Sequence, residues 1–216
     1  MFIVLEGIDG SGKSTQIDFI VQWLETHGVE SNNILVTREP TRDGEFGIRI
    51  MKLLSGEEAM FVSPLEFQKL YVQDRKDHLE RVILPHVRGE DNVVLCDRYF
   101  LSTFAYGRAG GVAHEDLMTL HEKMLGTAWV MPDITLLIDV SAKTAMQRLK
   151  QRNRGKSPEY FETKKEFLQK IADEYRKLAV LFPNVVVIDG EKPAEEVSQE
   201  IKKVLFSQTS LCTKQS

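Results

Sequence analysis

Apolar positions along this chain follow two alternating rhythms. Short, mainly apolar runs occupy 2–5, 34–37, 93–96, 134–140 and 185–188, the first of them continuous. A run with no polar interruption suits a strand buried on both faces, as strands are inside a parallel sheet. Between the runs the spacing widens to a helical period. Ile17, Ile20, Val21 and Leu24 recur at i, i+3, i+4 and i+7, and Gly28 stands where that helix must stop. Further helices are predicted over about 47–54, 64–88, 114–125, 142–153, 161–181 and 193–206. Pro193 suits a helix start, with Glu195 and Glu196 in the first turn, where the helix dipole favours carboxylates. Strands alternating with helices predict an α/β protein with a parallel sheet.

Composition narrows this picture. The 216 residues, 42% hydrophobic and 28% charged, can bury a core of ordinary size and argue against wholesale disorder. With no repeat and no low-complexity linker, the expectation is one domain over 1–206 and a frayed tail over 207–216. Two stretches, 38–44 and 152–158, read as loops. A net charge of -4 supplies no general basic field, so phosphate affinity must come from a few placed residues, and nucleic acid is not an expected partner. Two cysteines, Cys96 in an apolar run and Cys212 in the tail, make no disulfide framework. The first strand begins at Phe2, leaving no room for a leader, and no apolar run reaches the roughly 20 residues of a membrane helix. The setting expected is a reducing cytoplasm.

The chemistry begins where the first strand ends. Gly7, Gly12, Lys13 and Ser14 fit Gly-x-x-x-x-Gly-Lys-Ser, between a buried-type strand and an amphipathic helix. Glycines let backbone N–H groups wrap a β-phosphate, Lys13 reaches the β- and γ-phosphates, and the Ser14 hydroxyl suits Mg²⁺. The bland alternative is a glycine-rich turn that only joins strand to helix. Asp9 sits inside the loop, where a carboxylate beside phosphates is unfavourable unless it meets Mg²⁺ or a sugar hydroxyl; otherwise it bonds its own backbone.

Open parallel sheets bind ligands at their carboxyl edge. Arg38 follows one strand in Arg38-Glu39-Pro40, and Arg98 follows another in Asp97-Arg98-Tyr99. Two guanidinium groups facing the cradle fit a second, phosphorylated substrate aligned with the γ-phosphate. Asp97 then holds Mg²⁺ through water or orients Arg98. The alternative pairs these arginines with Glu39 and Asp97 as structural ion pairs. On the helix over 64–88, Tyr71, Arg75 and His78 recur at i, i+4 and i+7, a flat ring followed by donors that suits a nucleobase or, more plainly, a solvated face. The basic run Arg148, Lys150, Arg152, Arg154 and Lys156 suits a lid over a nucleotide or an exposed helix end. A switch protein that hydrolyses its nucleotide would need only water as acceptor, so paired acceptor arginines argue against that class.

Taken together, 6–15, Thr37-Arg38-Glu39-Pro40, Asp74-Arg75 with His78, Asp97-Arg98-Tyr99 with Ser102 and Ala105-Tyr106, and Pro132-Asp133 before 135–140 resemble the thymidylate kinase family, of the bacterial type without a basic residue in the phosphate loop. The resemblance implies a three-layer P-loop kinase fold on a five-stranded parallel sheet, ATP as donor, dTMP as acceptor, dTDP as product, Mg²⁺ dependence and a homodimer. A kinase for another monophosphate is the nearest rival. The resemblance implies that Gly7, Ile8, Asp9, Gly10, Ser11, Gly12, Lys13, Ser14 and Thr15 bind the donor, with Ser14 and Asp97 toward the metal. It implies acceptor contacts from Asp9, Arg38, Glu39, Tyr71, Arg75, Arg98, Ser102 and Tyr106. Catalysis falls to Lys13, Arg38, Arg98 and Asp9, with Arg152 or Arg154 from a lid over about 148–162. Three departures stand out. The family usually has Phe where Tyr71 stands, often has Gln where Gly107 stands, and often ends its lid in Asp-Arg where this chain has Glu159-Tyr160.

Overall fold

The computed structural model describes residues 1–57, 62–89, 91–152 and 158–208. Five parallel strands, β1 (Phe2–Glu6), β2 (Ile34–Arg38), β3 (Val93–Asp97), β4 (Ile134–Asp139) and β5 (Val185–Asp189), lie in the order β2-β3-β1-β4-β5. The apolar runs are continuous because both faces of β1 are covered. Phe2 and Val4 pack into one core, and Ile3 and Leu5 into another on the opposite face. Helices α1 (Lys13–Thr26) and α9 (Ala194–Gln208) contribute Ile20, Leu24, Ile201 and Leu205 to the second core. The first core takes residues from α3 (Pro64–His78), α5 (Phe100–Ala109), α6 (His114–Leu125), α7 (Ala142–Arg152) and α8 (Pro158–Ala179). The result is three layers, helices on both faces of one sheet. Outside them, α2 (Glu45–Ser55) packs Ile50 and Leu53 against Leu70 of α3. No helix of the described residues is long and apolar enough to cross a membrane.

Two differences from the periodic reading have physical causes. The predicted helix over 64–88 is interrupted: α3 passes through a π-turn, Leu79–Ile83, into the short α4 (Leu84–Val87). Pro85 explains the break, because its ring crowds the carbonyl four residues earlier and offers no N–H to it. Helix α5 was not anticipated at all. Phe100, Leu101, Phe104 and Ala105 are fully buried, so the segment is apolar around most of its circumference and carries little amphipathic signal.

Candidate active site

The carboxyl ends of the strands gather the candidate residues. Register sets Leu5 beside Asp97 and Arg38 beside Asp97, so the turn after β1 and the ends of β2 and β3 share one edge. Glycine is required in that turn. At Gly7, with φ of +140, an added Cβ would lie 2.6 Å from the Ile138 carbonyl oxygen; at Gly10, with φ of +85, one would lie 2.6 Å from that of Ala145. The chain therefore wraps tightly and enters α1 with Ser14 and Thr15 exposed at the helix start, where backbone N–H groups lack helical partners. Lys13 is buried beneath the turn and its ammonium donates to the carbonyl oxygens of Gly7 and Ile8, at 3.0 and 3.2 Å. Burial, helped by the nearby Arg98 cation, lowers its pKa to about 8. Ser11 Oγ is buried without a partner among the described residues.

Arg148 of α7 reaches across this turn, donating through Nη1 to Ser11 O at 3.1 Å and through Nη2 to Gly190 O at 2.9 Å. It belongs to the predicted basic run but was not singled out there. Its distinguishing mark, a place four residues before Arg152 on α7, shows in the sequence only once the helix end is known. Arg152 closes α7, but its side chain, like Arg154, lies outside the described residues.

Beside the cradle, Arg98 Nη2 donates to Asp9 Oδ1 at 2.7 Å. Its Nη1 faces the hydroxyls of Ser102 and Tyr175 at 3.2 and 3.3 Å, and its guanidinium lies 5.2 Å from the centre of the Tyr106 ring. Arg98 has a left-handed φ of 72, costly for a side chain with a Cβ. Surrounding contacts hold it: its N–H donates to Leu5 O at 2.9 Å, and the Cys96 thiol donates to its carbonyl at 3.0 Å. Arg38 is half exposed, 3.9 Å from Asp97 Oδ2, while Asp97 Oδ1 is buried without a partner among the described residues. The structural pairing weighed for these arginines is thus only partly present. Arg38 meets Asp97 loosely, Arg98 meets Asp9, and Glu39 goes elsewhere.

Glu39 organises a separate buried network. Its Oε2 accepts from Arg75 Nε and Nη2 at 2.8 and 2.6 Å, and His78 Nδ1 lies 3.2 Å from Oε1. His78 Nε2 meets Thr37 Oγ1 at 2.7 Å. Arg75 also donates to Thr103 Oγ1 at 3.0 Å and contacts His121 Nε2 at 2.8 Å. Burial first, and the Arg75 charge second, lower the His121 pKa to about 3, so the ring is neutral at pH 7. Its Nδ1–H then donates to Leu117 O at 2.7 Å and Nε2 accepts from Arg75. The stripe of Tyr71, Arg75 and His78 therefore divides. Arg75 and His78 are only 1% exposed, whereas Tyr71 is half-buried at the edge of the Phe67 ring, its hydroxyl pushed up to about 12 mainly by burial. No sequence signal pointed to His121 or Thr103. At Gly107 an added Cβ would lie 3.1 Å from Gln68 Cγ and from both Leu117 methyls, so helices α3 and α6 already fill that space. Its neighbour Arg108 pairs with Glu174 of α8.

A phosphate-wrapping turn on a parallel sheet, with an arginine of the next strand end tied to a carboxylate inside that turn, is the arrangement of a phosphate-loop phosphotransferase. Known proteins agree. A family model described as thymidylate kinase matches residues 5–201. A probable thymidylate kinase of Pyrococcus horikoshii is 36% identical over 203 residues, 93% of either chain. Thymidylate kinases of Caldicellulosiruptor saccharolyticus and Mesoplasma florum are 34% and 33% identical, over 94% and 100% of this chain and 95% and 99% of theirs. The chain belongs to the thymidylate kinase family, and is a nucleoside monophosphate kinase.

Proposed function

We propose that this kinase transfers the γ-phosphoryl group of ATP to dTMP, giving dTDP and ADP. The observation that carries this reading is the 2.7 Å pair of Asp9 and Arg98, which joins the donor loop to the acceptor side of the site. A phosphate oxygen of dTMP forms the new bond to the γ-phosphorus while the bond to the β–γ bridging oxygen breaks, leaving ADP. The backbone of residues 7–15 and Lys13 hold the donor phosphates, and Lys13 exchanges the Gly7 and Ile8 carbonyls for them. Arg38 and Arg98 clamp the acceptor phosphate, a dianion whose approach to ATP otherwise meets strong repulsion. Asp9 and Ser102 border the sugar and phosphate, Tyr106 and Tyr71 flank the ring, and Tyr71 stacks on the base. Arg75 reads the base edge with the Nη1 hydrogen that Glu39, Thr103 and His121 leave over, Glu39 fixing its angle.

The orphaned Asp97 Oδ1 fits a hydrated cation, with the Ser14 hydroxyl as second donor. Mg²⁺ bound there supplies neutralisation of phosphate charge. Arg152 or Arg154 on the lid over 148–162 stabilises the transferred group, and Arg148 anchors that lid to the loop. The chain acts as one kinase domain over 1–206. It works as a homodimer, a reading supported by the exposed Ile48, Met51 and Leu54 of α2. A reducing cytoplasm suits Cys96, buried and with its thiol pushed well up by burial.

The test is ADP release with ATP and Mg²⁺ against dTMP, dUMP, UMP, CMP and thymidine. Turnover highest with dTMP and absent with thymidine is expected. Equal turnover across the monophosphates, or none with dTMP, would overturn the assignment.

A further inference from the structure

Glu6, the last residue of β1, is fully buried, yet its carboxylate sits at the centre of the acceptor side. Oε1 accepts the backbone N–H groups of Tyr99 and Ser102 at 2.8 and 3.1 Å. These are the N-cap and third residue of α5, so Glu6 caps that helix from another strand. Oε2 meets the hydroxyls of Ser102 and Tyr175 at 2.6 and 2.8 Å, and those two oxygens are 2.7 Å apart. Arg98 Nη1 contacts both hydroxyls, at 3.2 and 3.3 Å.

Counting hydrogens limits the directions these bonds can take, though either hydroxyl can donate across the 2.7 Å between them. A guanidinium only donates, so each hydroxyl must turn a lone pair to Arg98 and send its single hydrogen elsewhere. Glu6 Oε2 is the acceptor both can reach. An ionised carboxylate has about four lone-pair positions, and four donors fill them. Burial pushes the Glu6 carboxyl up, while the Ser102 hydroxyl, the Arg98 charge, the Tyr99 N–H and the Tyr175 hydroxyl pull it down; in either state Glu6 Oε2 is the oxygen on which the two hydroxyls converge.

We propose that Glu6 is the positioning residue of the acceptor arginine. By taking the hydrogens of Ser102 and Tyr175 it aims their lone pairs at Arg98 and holds the guanidinium with Nη2 toward Asp9 and the phosphate site. Its hold on the Tyr99 N–H fixes the backbone just after the left-handed Arg98. Tyr175 extends the arrangement to α8, where the neighbouring Glu174 is pinned by Arg108. This inference rests on the reading of Arg98 as the clamp of the dTMP phosphate.

Glu6→Gln keeps size and leaves one oxygen for the two N–H groups, but puts an NH₂ where the hydroxyl hydrogens must go. Initial rates with ATP and dTMP varied separately are expected to show KM for dTMP raised about tenfold or more, the scale of losing a charge-assisted hydrogen bond. KM for ATP should stay within about twofold. Tyr175→Phe, which removes a single oxygen, should raise KM for dTMP by about three- to tenfold in a protein that melts near wild type. In an Arg98→Ala background both substitutions should lose most of their effect. Equal rises in both KM values, an unchanged KM for dTMP, or full additivity with Arg98→Ala would reduce Glu6 to a helix cap and overturn the proposal. Should Glu6→Gln fail to fold, the cycle of Tyr175→Phe with Arg98→Ala decides. If Arg98→Ala alone weakens ATP and spares dTMP, the clamp reading fails, which is separate from a cycle that shows no coupling.

Discussion

Lys13 is 7% exposed with its ammonium on two carbonyl oxygens, and burial lowers its pKa from the ordinary 10.5 to about 8. The folded value lies below the unfolded one, so the charged lysine opposes folding in full below pH 8. That opposition fades as pH rises from about 8 toward 10.5. Donor phosphates reverse the balance by giving the ammonium an opposite charge. ATP binding is therefore expected to take up protons at pH 9 and almost none at pH 6.5. Calorimetry in buffers of different ionisation enthalpy reads this directly, and equal uptake at both pH values would contradict the buried-lysine account. Residues of this kind were legible because loop and lysine are contiguous in the chain. Arg38 and Arg98 were legible for the same reason, each directly ending or following its strand. Glu39 was read only as a motif neighbour, and its hold on Arg75 depends on α3 packing beside the end of β2.

At the scale of elements, α2 shows packing overriding propensity. An added Cβ at Gly47 would lie 2.2 Å from the Thr41 carbonyl oxygen and 2.7 Å from Asp74 Oδ1. Thr41 is held there by Asp74, which accepts its N–H and hydroxyl at 2.8 and 2.5 Å. Alanine favours a helix over glycine by about 1 kcal/mol, yet Gly47→Ala is expected to destabilise by up to about 2 kcal/mol net, since overpacking costs about 1–3. Urea unfolding measures it, and an unchanged or higher midpoint would show that the Thr41–Asp74 clamp yields. The same competition explains which elements the sequence displayed. Helices α1 and α6 show a polar side and an apolar side, so their period is visible. Helix α5 is enclosed by α3, α6 and α8 and has almost no polar side to mark it, although it places Ser102 and Tyr106 against Arg98.

At the scale of the molecule, the outward side of α2 leaves Ile48, Met51 and Leu54 between 41% and 54% exposed, more apolar surface than a solitary helix face needs. Sedimentation at micromolar concentration is expected to show a dimer, and Met51→Glu with Leu54→Glu a monomer. A monomeric wild type would refute the assembly. The sequence alone determined the parallel α/β order, the phosphate-wrapping turn and the arginines at two strand ends, because each is a local property: a run, a turn, the residue after a strand. Tertiary structure decided which side chains turn into the site and what holds them. Glu6 and Tyr175 meet across 169 positions, Arg75 and His121 across 46, and Arg148 reaches Ser11 across 137. Such partners are set by how layers pack over the sheet, and a buried charge takes whichever donors or acceptors that packing brings within about 3 Å.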